Sequence, residues 1–391
     1  MRITWSLPVP GESAESSRGD LVRARSLVER LRGDGHDVRL VAAGSHGETG
    51  AAVAAYRGGV RRLLPGALAR SLRDAGRLAL ARAHAHRVAR AAREGSAHLI
   101  VETQVHLIPS GRLAAARAGV PLILDDCSPP GEEMMLGPGL PSWVVERSFR
   151  AQAAAARALV VSSHSLAEAL GQVREAAGKI QVVPNGVDVQ AYHGGNGTAL
   201  RRDLGLEHAV VVGFLGSFQP WHRLDLLLEA MAAAPEQERL GLLLVGDGPE
   251  RESVLAGAAR LGLSDRVRAT GAVPAAEVPR MLSACDIGVL PGSNSYGQPM
   301  KLVEYAAAGI PSVAPDLPPV REVLRVDVSG LTFAPGDVGG LASVLARLAA
   351  DPALRRQLGK AARASVLEWS WEARARAFAR VLESVQLEEA P

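Results

Sequence analysis

Short apolar segments alternate with longer helical stretches along most of this 391-residue chain. This alternation is typical of parallel β-sheets whose strands are joined by crossover helices. Strands are predicted at residues 2–7, 38–42, 98–101, 122–124, 158–161, 180–183, 210–215, 242–245, 267–269, 287–290 and 312–314. Helices are predicted at residues 20–32, 166–170, 224–233, 251–261, 300–308 and 340–349. The predicted fold class is therefore α/β, with two doubly wound sheets.

Turn-forming residues concentrate between Pro184 and Gly205, where the chain reads Pro-Asn-Gly-Val-Asp and then Gly-Gly-Asn-Gly. Such a cluster marks a domain boundary. We predict one domain over residues 1–190 and a second over 205–370, with their sheets facing across a cleft. Because open α/β sheets bind ligands beyond the carboxyl ends of their strands, two such sheets would bind two substrates.

Composition and sequence patterns argue against several classes of protein. The net charge is +3 over 391 residues, which gives little support for a dedicated nucleic-acid binder. The two cysteines, Cys127 and Cys285, form neither a metal-ligand spacing nor a disulfide framework, so a reducing cytosol is expected. We find no transmembrane-length apolar run and no signal-peptide core, and we expect a cytoplasmic protein.

Residues 61–93 form a basic stretch with nine arginines and one acid, Asp74. This stretch could contact an anionic membrane or acceptor. The alternative, which we favour, is that it forms a solvated helical face in an arginine-rich protein.

The strongest functional signal follows the predicted strand at 287–290. A glycine-containing loop leads into a helix that begins near Pro299, a residue suited to the first helical position. A helix start after such a loop binds anions through free N–H groups and the positive end of its dipole. Lys301 lies in the first turn, where the dipole disfavours a cation unless an anion is close.

Glu304 follows Lys301 by three residues, which places both side chains on one helical face. An ionised carboxylate only accepts hydrogen bonds, so Glu304 suits two vicinal hydroxyls such as those of a ribose. Lys301 is one of three lysines in the chain. The alternative is that Lys301 and Glu304 simply pair with each other on a surface helix.

Two further glycine-containing turns follow strands in the second half. Gly216 would let a phosphate approach the backbone closely, and His222 and Arg223 could add positive charge. The alternative is an ordinary turn with a solvated arginine. Gly246 begins a second glycine turn, but Arg251 stands where a dinucleotide fingerprint needs its third glycine, so a dehydrogenase is a poor interpretation.

Acidic residues follow strands in the first half. Glu102 follows one predicted strand, and Asp125 and Asp126 follow the next, with Glu132 and Glu133 close behind. Such residues are candidates for acceptor binding or base catalysis, although the two aspartates could instead cap a turn. Cys127 is interpreted as a small buried apolar residue rather than a nucleophile.

These segments together resemble retaining glycosyltransferase family 4, which has the GT-B fold of two Rossmann-like domains. The donor motif resembles a branch that reads Tyr-Gly-x-Pro-x-Lys-x-x-Glu-Tyr. The resemblance covers nearly the whole chain and implies that a final helix, 371–391, returns to the first domain. It rests on residues 33–38, 183–188, 244–249, 265–271, 301–311 and 368–372.

The resemblance implies a role for each matching position. Glu304 would bind the donor ribose, Val273 would lie near the base, and Gly11 would line the acceptor side. The diphosphate and sugar would be bound by Gly216, Ser217, His222, Gly246, Gly297, Gln298, Pro299, Met300, Lys301 and Leu302.

Three departures from the family pattern stand out. Tyr296 replaces a common glutamate, and Ser217 and His222 occupy the usual positions of a phosphate-binding arginine and lysine. Cys127 occupies the position of an acceptor-side histidine, beside Asp126. Donor binding therefore carries over better than the identity of a catalytic base.

The sequence thus predicts transfer of a sugar from a UDP- or GDP-type donor, with Lys301 and Asp126 as catalytic residues. Glu102, Asp125, Asp126 and Gly11 are the predicted acceptor-binding residues. No Asp-x-Asp triplet occurs, so neither a metal nor a cofactor is expected. The acceptor is predicted to be small and polar, and cationic if the acidic residues line its site. Alternatives are a catalytically reduced protein that senses nucleotide sugars, and a nucleotide-sugar epimerase.

Overall fold

The computed structural model describes residues 1–9, 18–43, 66–130, 140–193, 195–234 and 240–387. Among the residues singled out by sequence, Gly11, Glu132 and Glu133 lie outside this part. The chain forms two compact units. The first comprises Met1–Pro184 with Trp371–Pro391, and the second comprises Asn185–Ser370.

The first unit contains a parallel six-stranded sheet in the order β2-β1-β3-β4-β5-β6. Its strands are β1 (Arg2–Leu7), β2 (Asp37–Ala42), β3 (Leu99–Thr103), β4 (Leu122–Asp125), β5 (Ala158–Val161) and β6 (Ile180–Val182). Its helices are α1 (Gly19–Gly33), α2 (Gly66–Glu94), α3 (Ser110–Ala118), α4 (Ser142–Ala155), α5 (His164–Gly171) and α14 (Trp371–Leu387).

The last helix belongs to the first unit. The ring of Phe378 in α14 stacks on Trp5 of β1 with centroids 5.2 Å apart. At the surface, Arg30 of α1 pairs with Glu372 at 3.2 Å. The helix therefore completes the apolar core beside β1.

The second unit contains a second parallel six-stranded sheet, in the order β12-β11-β10-β7-β8-β9. Its strands are β7 (Val210–Leu215), β8 (Leu240–Val245), β9 (Val267–Ala269), β10 (Ile287–Val289), β11 (Ser312–Pro315) and β12 (Gly330–Phe333). Its helices are α6 (Thr198–Asp203), α7 (Leu224–Ala233), α8 (Arg251–Arg260), α9 (Val278–Leu282), α10 (Met300–Ala308), α11 (Pro318–Arg321), α12 (Val338–Ala350) and α13 (Pro352–Ser365).

Strand β7 shows why this sheet is covered on both faces. Val212 and Phe214 enter one apolar core, whereas Val211 and Leu215 enter the core on the opposite face. Alternate residues of a strand point to opposite faces, so a strand that is apolar throughout needs cover on both. The doubly wound α/β fold predicted from the sequence is confirmed.

Candidate functional site

The second sheet changes direction between β7 and β10, which are neighbours although two strands separate them in sequence. The chain adds β8 and β9 to one side of β7. It then adds β10, β11 and β12 to the other side. Open α/β sheets bind ligands at such a switch point, beyond the carboxyl ends of the two strands. Gly216 follows β7, and the loop into α10 follows β10, so the predicted donor residues meet at this edge.

Two glycines leave the backbone bare at the switch point. Gly216 and Gly246 have φ angles of +136° and +134°, a region that residues with a Cβ rarely adopt. A Cβ on Gly246 would collide with the carbonyl oxygen of Gly216. The ends of β7 and β8 therefore pack backbone against backbone, which allows a phosphate to approach closely.

The loop before α10 is held by its own side chains. Asn294 Oδ1 accepts hydrogen bonds from the amides of Gly297, at 2.7 Å, and Tyr296, at 3.3 Å. Pro299 has φ −79° and ψ 95°, so it caps the helix and is not its first helical residue as predicted. The free N–H groups at the start of α10 thus follow a fixed loop.

Gln298 lies in this loop with 8% of its surface exposed. Its Oε1 accepts a hydrogen bond from the Asn185 amide at 2.6 Å, which fixes the orientation of the side-chain amide. Its buried Nε2 has no acceptor among the described residues. A buried donor without an acceptor is unfavourable by about 1–3 kcal/mol, so Gln298 has capacity for a ligand oxygen.

Lys301 is half-buried and turns towards the end of β7. Its Nζ lies 2.9 Å from His222 Nε2 and 4.7 Å from the centroid of the Phe214 ring. Burial lowers the pKa of Lys301 to about 7, against the attraction of the Glu304 charge. The ammonium is therefore held at the switch point in a poorly solvated environment.

His222 does not supply the positive charge that the sequence predicted. Burial and the Lys301 charge lower its pKa to about 3, so the imidazole is neutral and accepts a hydrogen bond from Lys301. The Arg223 guanidinium instead pairs with Asp225 at 3.0 Å on the exposed surface. Among the predicted cations of this site, Lys301 alone faces the switch point.

Glu304 is half-buried one turn further along α10. Its Oε1 accepts a hydrogen bond from the Tyr192 hydroxyl at 3.3 Å, and burial raises its pKa to about 7. Lys301 and Glu304 have different hydrogen-bond partners, and no ion pair joins these two described residues. The alternative that they form a surface pair is wrong.

Tyr305 is a residue whose role the sequence did not reveal. Its hydroxyl accepts a hydrogen bond from the Leu215 amide at 2.9 Å and donates one to the Val289 carbonyl at 3.1 Å. Its ring packs directly on Gly288, where a Cβ would collide with it. Tyr305 thus joins β7 to β10 at the switch point.

The remaining predicted donor residues differ in accessibility. Leu302 is buried in the core, so its side chain is closed to a ligand, whereas Met300 is half-buried and Ser217 is exposed. Val273 follows β9 and is half-buried against the core of the second unit.

In the first unit, Glu102 lies inside β3 and not beyond its end as predicted. Its carboxylate is fully buried and accepts hydrogen bonds from the hydroxyls of Ser6, at 3.0 Å, and Ser110. Burial raises its pKa to about 7. The predicted contact of Glu102 with an acceptor is corrected, because the side chain points into the core.

Asp125 is also turned inwards. Its carboxylate binds the buried guanidinium of Arg23 from α1, with the closest N–O distance at 2.8 Å. Arg23 also donates to the Val183 carbonyl at 2.9 Å. This pair ties α1 to the ends of β4 and β6, so Asp125 serves the fold and is not open to an acceptor.

The next two residues, Asp126 and Cys127, differ in solvent accessibility. Asp126 is half-buried with a φ of +55°, an unusual backbone conformation for a residue other than glycine. Cys127 is buried, and burial raises the pKa of its thiol well above the usual value. The interpretation of Cys127 as a small buried residue is confirmed.

Sequence reasoning missed His106, which lies just beyond β3. Its Nε2 is 3.1 Å from Ser128 Oγ, and its Nδ1 is 3.4 Å from Gln104 Nε2. These residues follow β3 and β4, so they lie at the same sheet edge as Asp126. Polar residues directly after a predicted strand were a signal that could have identified them.

The described residues show neither a metal-binding cluster nor a membrane-spanning helix. No group of three or more His, Cys, Asp or Glu side chains there could hold a metal ion. In the same part of the chain, every helix is too short or too polar to cross a membrane.

Family models match both halves of the chain. Residues 198–365 match glycosyl transferases group 1, and residues 21–191 match glycosyltransferase family 4. A D-inositol 3-phosphate glycosyltransferase of Segniliparus rotundus is 34% identical over 204 residues, which are 50% of this chain and 45% of that protein. The N-acetyl-alpha-D-glucosaminyl L-malate synthase of Bacillus anthracis is 29% identical over 208 residues, 53% of this chain and 54% of that protein. The chain spans about half the length of these curated relatives.

Solved structures resemble the chain over nearly its full length. Anabaena HepE in complex with UDP and glucose gives a TM-score of 0.78 at 20% identity, covering 98% of this chain and 100% of HepE. Sucrose-phosphate synthase from Thermosynechococcus elongatus gives 0.77 at 18% identity and covers both chains completely. Together with the two Rossmann-like sheets, these likenesses show the GT-B fold.

Proposed function

We propose that this chain, which has the GT-B fold and matches two glycosyltransferase family models, moves a sugar from a nucleotide diphosphate donor to a small polar acceptor with retention of configuration. The second unit, predicted as residues 205–370, would bind the donor. The first domain, predicted as residues 1–190 with the helix of residues 371–391, would bind the acceptor. A cytoplasmic location is part of this proposal.

One observation carries the donor assignment. Lys301 and Glu304 lie one turn apart in α10, half-buried at the switch point, and they are not paired with each other. Taking a charge out of water is unfavourable unless a partner compensates. A nucleotide diphosphate supplies both partners, since its phosphates are anionic and its ribose hydroxyls donate hydrogen bonds.

The helix start and Lys301 suit the chemistry of diphosphate departure. As the bond between the sugar C1 and the diphosphate oxygen breaks, negative charge grows on the leaving group. Free N–H groups of α10 and the Lys301 ammonium would stabilise that charge, and such preorganised stabilisation is often the largest catalytic term. Neither group requires a metal, so we propose metal-independent catalysis.

The acceptor would attack C1 on the face from which the diphosphate departs. Its hydroxyl or thiol forms the new bond to C1, and the proton is transferred to an oxygen of the leaving diphosphate. The step needs no protein base to accept the proton. This is in keeping with the buried thiol of Cys127 and the inward orientation of the Asp125 carboxylate.

The donor is tested first with a panel of nucleotide sugars, using the shift in melting temperature that binding produces. HepE was crystallised with UDP, so UDP-sugars are the first members and GDP-sugars the comparison set. The best ligand is then incubated with enzyme and acceptor, and release of nucleoside diphosphate is followed with and without EDTA. No stabilisation by any member would contradict the donor site, and activity lost in EDTA but restored by magnesium would contradict metal independence.

The acceptor is tested through Asp126, the one predicted acceptor carboxylate that is partly accessible among the described residues. A negative group attracts cations and repels phosphates, so we propose an amine-bearing acceptor of the kind found in natural-product pathways. Asp126→Asn is expected to raise the Michaelis constant for the acceptor and leave donor affinity unchanged. An unchanged acceptor response, with activity lost when exposed arginines of α2 are neutralised, would favour an anionic acceptor.

A nucleotide-sugar sensor is the second candidate. Tyr296 and Cys127 stand where the family that this chain resembles usually has a glutamate and a histidine. A sensor would be stabilised by the donor but would release no nucleoside diphosphate with any acceptor. An enzyme would release nucleoside diphosphate slowly even when water is the only acceptor.

A further inference from the structure

We infer that His222 is a positioning residue that holds the Lys301 ammonium across Gly216, where it meets the donor diphosphate. The inference rests on the proposed function and adds a residue that acts through Lys301. It follows from the hydrogen bonds, the ring packing and the backbone around the two side chains.

The His222 imidazole is held from several sides. Its ring packs against Phe214, with centroids 5.4 Å apart, and against Trp221 at 5.9 Å. Its Nδ1 lies at hydrogen-bond distance from the Ser217 carbonyl, which can only accept. Nδ1 therefore carries the proton, and the lone pair on Nε2 faces Lys301.

Lys301 reaches this lone pair by lying over a glycine. A Cβ on Gly216 would be 3.3 Å from both Cε and Nζ of Lys301, so the lysine side chain covers that backbone. An ammonium has three N–H donors, and His222 Nε2 takes one at 2.9 Å. The other two have no hydrogen-bond acceptor among the described residues and are available to phosphate oxygens.

The alternative position for the ammonium is Glu304. The carboxylate is one turn along the same helix and attracts Lys301 electrostatically. A Lys301–Glu304 ion pair would withdraw the cation from the diphosphate and also occupy an acceptor intended for the ribose. By giving Lys301 a neutral acceptor at the end of β7, His222 keeps the two charged groups apart.

The same geometry shows that two elements converge on one place. Position 222 lies in the turn after β7, and position 301 lies in α10, yet their side-chain nitrogens are 2.9 Å apart. A cation delivered from position 222 would therefore occupy nearly the place that Lys301 fills. This makes an exchange of the charged residue between the two elements a specific test.

The test compares His222→Phe, His222→Gln, Lys301→Met and the double variant His222→Lys/Lys301→Met. Each is titrated calorimetrically with UDP and with a UDP-sugar, after thermal melting has shown that it is folded. Lys301→Met should bind about tenfold or more weakly, and His222→Phe about fivefold more weakly, from the usual size of charged and neutral hydrogen bonds. His222→Gln keeps an acceptor for Lys301 and should remain within about twofold of wild type.

The double variant provides the decisive result. Restoring a cation from the other element should recover much of the affinity lost in Lys301→Met, which would show that positions 222 and 301 face the same group of the ligand. Wild-type affinity in His222→Phe, or a double variant no better than Lys301→Met, would overturn the inference. If Lys301→Met itself binds like wild type, the proposed function of Lys301 fails instead, so the two failures are distinguishable.

Discussion

The two sheets carry buried charges near the carboxyl ends of their strands, but they use them differently. In the first unit, Asp125 pairs with Arg23, and one oxygen of the Glu102 carboxylate accepts hydrogen bonds from neighbouring hydroxyls in the core. In the second unit, Lys301 and Glu304 each have one neutral partner and remain unpaired with each other. The comparison separates carboxylates that are enclosed in the core from two opposite charges that are only half-buried and do not pair with each other.

The difference follows from the free energy of burying each charge. A buried ion pair with complete hydrogen bonding is compensated within the fold, and it needs no ligand. A half-buried charge without an opposite charge beside it stays unfavourable until a ligand arrives. Substitutions in the two units should therefore differ, with loss of stability in the first and loss of ligand affinity in the second.

Asp125→Ala should destabilise the first unit by about 3–5 kcal/mol, because it leaves the Arg23 guanidinium buried without its carboxylate. Urea unfolding measures the change. Arg23→Met/Asp125→Leu removes both charges and should recover most of the loss, while Glu304→Gln should unfold like wild type. A small effect in Asp125→Ala would mean that the pair does not support the fold.

Glu304→Ala should leave the fold intact and weaken nucleoside diphosphate binding by about 1.5–3 kcal/mol, the range for hydrogen bonds to a charged group. Calorimetric titration measures the affinity. Asp126→Asn in the other unit is the matched control and should bind as tightly as wild type. Equal affinity in Glu304→Ala would remove the donor site from α10.

Affinity for the nucleotide sugar should peak near pH 7 and decline on both sides. Burial raises the pKa of Glu304 to about 7, so the binding carboxylate is lost as the pH falls through that value. Burial lowers the pKa of Lys301 to about 7, so the binding ammonium is lost as the pH rises through it. Each limb should approach about tenfold per pH unit at most.

The two limbs can be assigned by substitution. Glu304→Gln should flatten the acid limb and Lys301→Met the alkaline limb. The nucleotide sugar is the appropriate ligand because its diphosphate stays ionised over this range. A profile that is flat in the wild type, or one that neither variant changes, would contradict the assignment.

Gln298→Glu should produce the smallest effect, about 1 kcal/mol or roughly fivefold in donor affinity. The new carboxylate still accepts from the Asn185 amide but replaces the unpartnered N–H group with an acceptor. Weaker binding of both UDP and the UDP-sugar would place that group at the diphosphate. Loss for the UDP-sugar alone would place it at the sugar, and no loss would exclude it from the site.

Local patterns predicted most of the fold. Each of the eleven predicted strands is found in the described part of the chain, and helices Leu224–Ala233 and Met300–Ala308 begin and end where expected. Strand Gly330–Phe333 at the edge of the second sheet was not predicted, and neither were several helices, among them Ser110–Ala118, Ser142–Ala155 and Pro352–Ser365. Element type is thus encoded locally where the apolar pattern is regular, while helices rich in alanine or polar residues and short edge strands depend on their neighbours.

Long-range pairing explains what the sequence could not predict in the sites. Asp125 and Glu102 were interpreted as open to a ligand, yet Arg23 is 102 residues from Asp125 and Ser6 is 96 residues from Glu102. By contrast, Lys301 and Glu304 lie in one helix behind one loop, so their placement on one helical face was predictable from spacing. Spacing could not predict the contact between His222 and Lys301, because the fold alone brings these two side chains together.

The phenol of Tyr305 has a consequence for how the crevice forms. It satisfies one backbone group at the end of β7 and one at the end of β10, just where those strands stop pairing with each other. The Tyr305 hydroxyl therefore fixes the separation of the two strand ends in the ligand-free protein. Their backbone does not need to be ordered when a ligand binds. Hydrogen exchange of the Leu215 amide should accordingly be slow in the ligand-free protein, and donor binding should carry little entropic penalty from the backbone.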